Sequence, residues 1–530
     1  MSKQEAFRRM IDEGYAFGGP SFVLGGAMLG EITQTGHLVR IPLGTLNRHG
    51  LIAGATGTGK TKTLQIIAEQ LSREGVPSLL MDIKGDLSGI AVPSAGHPRI
   101  DERHMDIGLP FESGGSPVEL LSLSDEPGAR LRATVLEFGP VLFSKMLALN
   151  DTQSGIIAVA FKYAEDHELP LLDLKDLRKL LQYLSNEGKE EVQKEYGRIS
   201  SSSVGAIMRR VVELEGQGAE RFFGERSFEV EDLTRLDELG RGIVSIVRLT
   251  DVQDRPKLFS TFMLQLLAEI YATFPEEGDL DRPKLVVFID EAHLIFEEAT
   301  DALLDQLEAI IKLIRSKGVG LIFVTQNPAD VPSDVLGQLG LKVQHALRAF
   351  TAKDRRTIKL TSENYPLSDY YDIDQTLTEL GTGEAFVTAL DRKGRPTPLV
   401  RTLLRAPESR MDVLTEREIT GLVDNSPLVR KYADEIDRES AYEILNEKLA
   451  AAKAAEHREE MEAQRERARK TTTGSRRRRR TEESTLEKVM NSTLTRQIGR
   501  TVAREVTRGI LGVLGIRRTR RRRSRTGWFR

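Results

Sequence analysis

The octapeptide Gly54-Ala55-Thr56-Gly57-Thr58-Gly59-Lys60-Thr61 satisfies the pattern G-x-x-x-x-G-K-[ST] at every fixed position. An apolar run, His49-Gly50-Leu51-Ile52-Ala53, leads into it, and a helical pattern (Leu64, Ile67, Ala68, Leu71) follows. A strand that turns through glycines into a helix points successive backbone N–H groups inward, where they can hold a polyphosphate. Lys60 can then reach the β- and γ-phosphates, and the Thr61 hydroxyl can ligate Mg²⁺. Gly54, Ala55, Thr56, Gly57, Thr58, Gly59, Lys60, Thr61 and Thr63 are therefore expected at the nucleotide. The chemistry implied is binding of ATP with Mg²⁺.

A second cluster completes that chemistry. Leu285-Val286-Val287-Phe288-Ile289 reads as a buried strand and ends in Asp290-Glu291. Asp290 can hold the water shell of Mg²⁺, and Glu291 can orient or deprotonate the attacking water. An acid beside the metal-binding acid favours hydrolysis over a binding switch. The next strand ends in Val324-Thr325-Gln326-Asn327-Pro328. A polar residue at the carboxyl edge of a parallel strand faces the ligand crevice. Gln326 can thus contact the γ-phosphate or the lytic water, or cap the loop that Pro328 terminates. A strand expected over 341–347 delivers Arg348. Phosphoryl transfer needs added positive charge, which Arg348, Arg355 or Arg356 can supply. Arg348, at a strand end, is better placed than two arginines in the first turn of a helix. Asp82, after the strand 78–83, can assist the metal and its water or accept backbone N–H groups. The histidines show no metal-ligand spacing, and His293 reads as an organiser of local structure.

These side chains must be positioned by an α/β core. Strands are expected over 50–53, 78–83, 243–249, 285–290, 320–325, 341–347, 383–389 and 397–403, alternating with helices. That alternation signals a mainly parallel, doubly wound sheet of the RecA-like P-loop type. Between 120 and 235 the strand pattern gives way to helical patterns at 130–148, 152–166, 173–184 and 204–215. The expected organisation is a small N-terminal β element (1–50), an ATPase core (51–119 and 236–405), an all-α insertion (120–235), a helical arm (406–470) and a basic tail (471–530). Within the arm, Ala433–Lys470 reads as a long exposed helix, either solvated alone or a coiled-coil arm.

Composition narrows the class. The chain has 530 residues, 39% hydrophobic and 29% charged, with no cysteine. That is ordinary for a globular protein and excludes disulfides and thiolate metal sites. No secretory h-region opens the sequence and no apolar run approaches the ~20 residues of a membrane span, so a cytoplasmic location is the default. The net charge of −3 conceals an asymmetry. Residues 471–530 carry 18 Lys and Arg against 4 Glu, a surplus of 14, which leaves the first 470 at −17. Arg496, Arg500, Arg504 and Arg508 recur every four residues, as do Ile498, Val502, Val506 and Ile510. On a helix the two stripes lie on nearly opposite faces. Nucleic acid, the acidic face of a neighbouring subunit or an anionic membrane surface can each receive the arginines. The lack of interleaved aromatics argues against stacking on single strands.

Asp290-Glu291-Ala292-His293 resembles the box of superfamily-2 RNA helicases. Those proteins carry a second RecA-like lobe, whereas the stretch from Asn327 to about Arg405 has room only to finish the first sheet. Val324-Thr325-Gln326 also stands where Ser-Ala-Thr is expected. GTPases are excluded because no Asn-Lys-x-Asp follows a late strand. A broader set of motifs resembles the bacterial HerA-like ATPases of the YjgR type, in the FtsK–HerA superfamily. These are Asn47-Arg48-His49-Gly50-Leu51-Ile52-Ala53-Gly54, Lys84-Gly85-Asp86-Leu87-Ser88-Gly89, Asp290-Glu291-Ala292-His293, Arg315-Ser316-Lys317-Gly318-Val319-Gly320, Val324-Thr325-Gln326-Asn327-Pro328 and Gln344-His345-Ala346-Leu347-Arg348-Ala349-Phe350. The likeness covers roughly residues 15–405. It implies a homo-oligomeric, hexameric RecA-like ATPase whose nucleotide sits between subunits, with the arginine borrowed from a neighbour. HerA relatives move on double-stranded DNA beside a nuclease and carry a sizeable β-barrel before the P-loop. Only about 50 residues precede it here, so that barrel is expected to be absent or reduced. The expected work is translocation of nucleic acid, with double-stranded DNA favoured. A ring ATPase acting on protein partners is the alternative, and an ATP-gated scaffold is a third reading that Glu291 opposes.

Overall fold

The computed structural model describes residues 2–472, apart from 252–255, 279, 298–300, 435 and 437. The segment 473–530, with Arg496, Arg500, Arg504 and Arg508, lies outside the described residues.

The apolar runs of the sequence become one 12-stranded sheet. Its strands are β1 (Ser21–Leu29), β2 (Ile32–Pro42), β3 (Gly50–Ala53), β4 (Ser78–Asp82), β5 (Val118–Ser122), β6 (Ala129–Arg130), β7 (Val244–Arg248), β8 (Leu285–Ile289), β9 (Val319–Thr325), β10 (Leu341–Gln344), β11 (Glu384–Thr388) and β12 (Val400–Leu404). In space they run β2-β1-β12-β11-β10-β3-β9-β8-β4-β7-β5-β6. From β10 through β6 every pairing is parallel. From β10 back to β2 every pairing is antiparallel. Helices cover both faces of a parallel sheet, so its strands need apolar residues at every position. β8 and β9 are buried throughout for that reason. The series β10-β3-β9-β8-β4 is the RecA-like order, and it brings the carboxyl ends of β3, β9, β8 and β4 side by side.

The strands expected from the sequence all form. The one expected over 341–347 ends early, at Gln344, so Arg348 sits on the loop beyond it. The stretch expected to be all helical from 120 begins later. β5 and the two-residue β6 extend the sheet first, and helices then run Val135–Met146, Asp151–Asp166, Leu174–Ser185, Lys189–Glu195 and Ser201–Gly216. Val118-Glu119-Leu120-Leu121-Ser122 is too short to be told from a helix segment by periodicity alone, and β5 takes its strand form from pairing with β7. Three of these helices open with a reciprocal capping box, Thr134 with Glu137, Asn150 with Gln153 and Asp173 with Asp176, which satisfies otherwise orphaned N–H groups. Phe138, Phe143, Phe222 and Phe223 pack edge-on or tilted at the centre of the insertion. The N-terminal hairpin is part of the core sheet, since β1 pairs with β12 from Gly25↔Leu404 to Ala27↔Thr402. Among the described residues no helix is long and apolar enough to cross a membrane.

The chain after β12 straps the phosphate-loop helix, Lys60–Arg73, along its length. Lys62 Nζ donates to Met411 O at 2.5 Å and Gln65 Nε2 to Ser409 Oγ at 2.7 Å. Glu69 accepts from the N–H groups of Glu408 and Ser409 at 2.9 and 3.0 Å. Arg405 and Arg73 both pair with Glu408, at 2.5 and 3.0 Å. The strap continues to the insertion, where Tyr432 Oη donates to Asp232 at 2.6 Å and Tyr442 N to Asp176 Oδ1 at 3.0 Å. The long helix, expected from Ala433, starts at Ala441 and runs to Thr472. Its first turns bury Ala441 and Leu445, and the residues from Glu447 to Arg465 are largely exposed.

Glu69 gives the strap a pH signature. Burial pushes its carboxyl up from the ordinary 4.5 to about 7, against the pull of the bonds from Ser409 and Glu408. Between those values the folded state holds more protons than the unfolded chain, so this group makes stability fall as pH rises from about 4.5 to about 7. Glu69→Gln removes the titration. Urea midpoints of the wild type and Glu69→Gln protein, compared at pH 5 and pH 7.5, should show a smaller loss on raising pH in the variant. Equal losses would contradict the assignment.

Candidate active site

The phosphate loop bends as its glycines allow. Gly54, Gly57 and Gly59 have φ of 152°, 78° and 111°. A Cβ on Gly54 would meet His345 Cβ at 2.5 Å, so the loop passes against the chain leaving β10. Backbone bonds fix it there, with Ala55 N donating to Ala346 O at 2.8 Å and His345 N to Ala53 O at 2.7 Å. Lys60 Nζ donates to Gly54 O at 2.7 Å and Ala55 O at 3.2 Å, which holds the ammonium at the mouth of the loop. The helix Lys60–Arg73 has no side-chain cap. Its first N–H groups are therefore available to an anion, with the helix dipole adding to the attraction.

Two residues behind this loop have roles that the sequence reading did not give them. His345 is fully buried and its Nε2 lies 2.9 Å from Thr63 Oγ1. Burial and the Lys60 charge hold its imidazole down at about 4, so it is neutral and cannot repel the lysine. Thr63, expected at the nucleotide, is buried, and its hydroxyl is engaged by His345 and by Gly59 O at 3.2 Å. It supports the loop from beneath. Gly383, just before β11, donates to Thr58 O at 3.0 Å and braces the loop from the antiparallel side. No sequence pattern couples Gly383 to residue 58, because the contact depends on β11 folding back along β10.

The acids stand where β8 ends. Asp290 is 2% exposed, and its Oδ2 has no hydrogen-bond partner. Burial raises its carboxyl to about 6, with the Lys84 charge pulling the other way. Glu291 takes a left-handed backbone turn, φ 47°, which costs a non-glycine residue about 1–2 kcal/mol. Its carboxylate is buried and has no hydrogen bond of normal geometry, but it forms an ion pair with Lys84 Nζ and lies 3.2 Å from His293 Nδ1. Burial pushes the Glu291 carboxyl up, yet Lys84 and His293 together hold it below the usual range. Lys84, quoted within a motif, was given no role by the sequence reading. It lies just past β4, and the register of β4 on β8, Met81 opposite Ile289, delivers it to the glutamate. The Lys60 ammonium is lowered by burial and by Lys84, with Glu291 and Asp290 opposing. Asp82 accepts N–H bonds from Gly85, Asp86 and Leu87 at 2.8, 3.2 and 3.2 Å, so of its two expected roles the geometry supports holding the loop that carries Lys84.

Gln326 bridges the two halves. Its Oε1 accepts from Thr56 Oγ1 at 3.4 Å, and its side chain also approaches Glu291. The loop cap expected as its alternative is made by neighbours, with Asn327 and Asp330 forming a capping box. Arg348 is exposed on the loop after β10, and Arg355 and Arg356 are exposed in the helix Ala352–Ser362.

These residues fit ATP and Mg²⁺. The orphaned Asp290 oxygen, the half-buried Thr61 at the first helical turn and the uncapped N–H groups make a site of oxygen donors beside a lysine. Among the described residues no cluster of three or more His, Asp or Glu forms a metal cage.

A family model described as helicase HerA-like C-terminal matches residues 29–521. The chain belongs to that family. The DNA double-strand break repair helicase HerA of Sulfolobus acidocaldarius is 24% identical over 377 residues, covering 69% of this chain and 67% of that protein. The protein of the same name from Sulfurisphaera tokodaii is 25% identical over 387 residues, covering 69% and 67%. The matched part thus spans about two thirds of each relative. Among solved structures, VirB4 of Thermoanaerobacter pseudethanolicus aligns with a TM-score of 0.49 at 16% identity, over 74% of this chain and 98% of that one. This HerA-like protein is an ATP-hydrolysing P-loop enzyme with an α/β fold.

Proposed function

We propose that this HerA-like protein is a Mg²⁺-dependent motor, assembled as a homo-oligomeric and most simply hexameric ring, that couples ATP hydrolysis to movement on double-stranded DNA. The observation that carries the reading is the convergence of Lys60, Asp290, Glu291 and Gln326 at adjacent strand ends of a family core whose named relatives are DNA repair helicases. Lys60 and the loop N–H groups bind the β- and γ-phosphates. Asp290 and Thr61 would hold Mg²⁺, which supplies charge neutralisation on the phosphate oxygens. Glu291 takes the proton of the attacking water and Gln326 orients that water. Arg348 acts from a neighbouring subunit, because within one chain it points from an exposed loop. The same segment exposes Phe350, Leu360 and Leu367 at 87%, 64% and 98%. Large apolar side chains so bare are suited to an interface with another copy. Placement among the bacterial YjgR-type members rests on the motif resemblance.

ATP-driven displacement of a third strand from a triplex reports movement along duplex DNA. The wild type should displace it in the presence of Mg²⁺ and ATP, and Glu291→Gln should not. Failure of the wild type on every duplex tested would remove DNA translocation from the account.

We assign the tail arginines to DNA phosphates. Arg496, Arg500, Arg504 and Arg508 all changed to Gln should flatten the salt dependence of duplex binding, the log–log slope changing by about 0.9 for each phosphate that is no longer neutralised. Basal ATP turnover should be unchanged. An unchanged salt slope together with failure to assemble would assign the stripe to the interface between subunits.

A further inference from the structure

The described active-site acids carry an unexpected partner. Lys84 lies on the loop after β4, and its ammonium forms an ion pair with one carboxylate oxygen of Glu291 while His293 Nδ1 approaches the other at 3.2 Å. One of the two oxygens that could receive a water proton is thereby turned to an ammonium, and the other to an imidazole nitrogen. A carboxylate oxygen occupied by an ammonium is not free to receive a water molecule. The backbone reinforces this arrangement. Glu291 adopts φ 47°, and Ala292 N is tied to Val324 O at 3.0 Å and Leu294 N to Glu291 O at 2.9 Å. The main chain that carries the glutamate is thus fixed, and the pair can open only through the side chains.

Lys84 is able to leave. Its side chain is 41% exposed, against 7% for Glu291, and it stands on a loop rather than within the strand. A second acid waits on that loop, since Asp86 Oδ1 is buried without a hydrogen-bond partner. Asp82 holds the loop between them through its three N–H bonds.

We propose that Lys84 is a positioning residue that clamps Glu291 in a resting pair, and that its departure toward Asp86 frees the glutamate for hydrolysis when duplex DNA engages the enzyme. The inference rests on the reading of Glu291 as the group that activates water. It makes slow idle turnover a property of one ion pair across β4 and β8.

The test compares Lys84→Met, Lys84→Arg and Glu291→Gln in the full-length protein, with kcat and KM for ATP measured with and without duplex DNA. Lys84→Met should raise DNA-free kcat several-fold, leave KM for ATP within about twofold, and shrink the stimulation by DNA. Lys84→Arg should restore the low DNA-free rate, and Lys84→Met combined with Glu291→Gln should be as slow as Glu291→Gln alone. A Lys84→Met protein with raised KM would make the lysine a phosphate ligand and overturn the clamp. A fall in kcat, or no change in either constant, would overturn it as well. Substantial turnover in Glu291→Gln would defeat the underlying reading of the glutamate, whereas an inactive Glu291→Gln beside an unaccelerated Lys84→Met would defeat the clamp alone.

Discussion

Glu291→Gln protein should bind ATP about as well as the wild type and hydrolyse it roughly 10²–10⁴-fold more slowly, the usual loss when a general base is removed. Glutamine matches the shape of glutamate and keeps an oxygen beside Gln326, but it cannot take a proton from water. Lys60→Ala should fail at an earlier step. It removes the ammonium held by Gly54 O and Ala55 O at the loop mouth. A hydrogen bond from a charged group is worth ~1.5–3 kcal/mol, so ATP affinity should fall roughly 10–100-fold. Binding of a fluorescent ATP analogue and single-turnover hydrolysis separate the two defects. Near-normal turnover by Glu291→Gln would take Glu291 out of the chemical step and leave Gln326 as the residue to test.

Arg348→Ala should fold and bind ATP but lose roughly 10³-fold or more in turnover, the scale on which an arginine finger acts. The loss should be partly reversed by mixing with Lys60→Ala subunits. One class of mixed interface then contains an intact Lys60 and an intact Arg348, contributed by different chains. The mixture must be assembled under conditions in which subunits exchange, and light scattering should confirm that Arg348→Ala still assembles, because Phe350 lies two residues away and is bare. Full activity in Arg348→Ala alone would be fatal to the assignment and would turn attention to Arg355.

The parts of the site that were legible in the sequence are those that chain-local chemistry dictates. The phosphate loop needs glycines at positive φ, a lysine and a threonine in fixed order, and Gly54, Gly57 and Gly59 adopt those angles. β8 and β9 were legible because a strand buried on both faces must be apolar throughout, so the acids at the end of one and Gln326 at the end of the other stand out by contrast. What was hidden depends on register or on distant segments. Lys84 meets Glu291 only because Met81 pairs with Ile289, and Thr63 is occupied only because β10 delivers His345 beneath it. The strap from Arg405 to Leu445 is tied to the rest of the chain by polar contacts between residues 200 to 349 apart, such as Tyr432 with Asp232 and Lys62 with Met411, which leave no periodic trace. β5 and β6 were missed because five and two residues are too short to show a period. Arg348 was expected at a strand end and lies four residues beyond it, since pairing with β11 covers only Lys342 to Gln344 on that strand.

In the proposed function, ATP hydrolysis at this site serves movement on duplex DNA. Steady-state ATP turnover of the full-length protein, measured alone and with double-stranded DNA, single-stranded DNA or RNA at matched phosphate concentration and low salt, tests it most directly. The account predicts that double-stranded DNA raises kcat most, that the increase disappears in Glu291→Gln, and that it weakens as salt rises. Turnover that is dependent on Glu291 yet indifferent to all three polymers would contradict the claim and transfer the motor to a protein substrate.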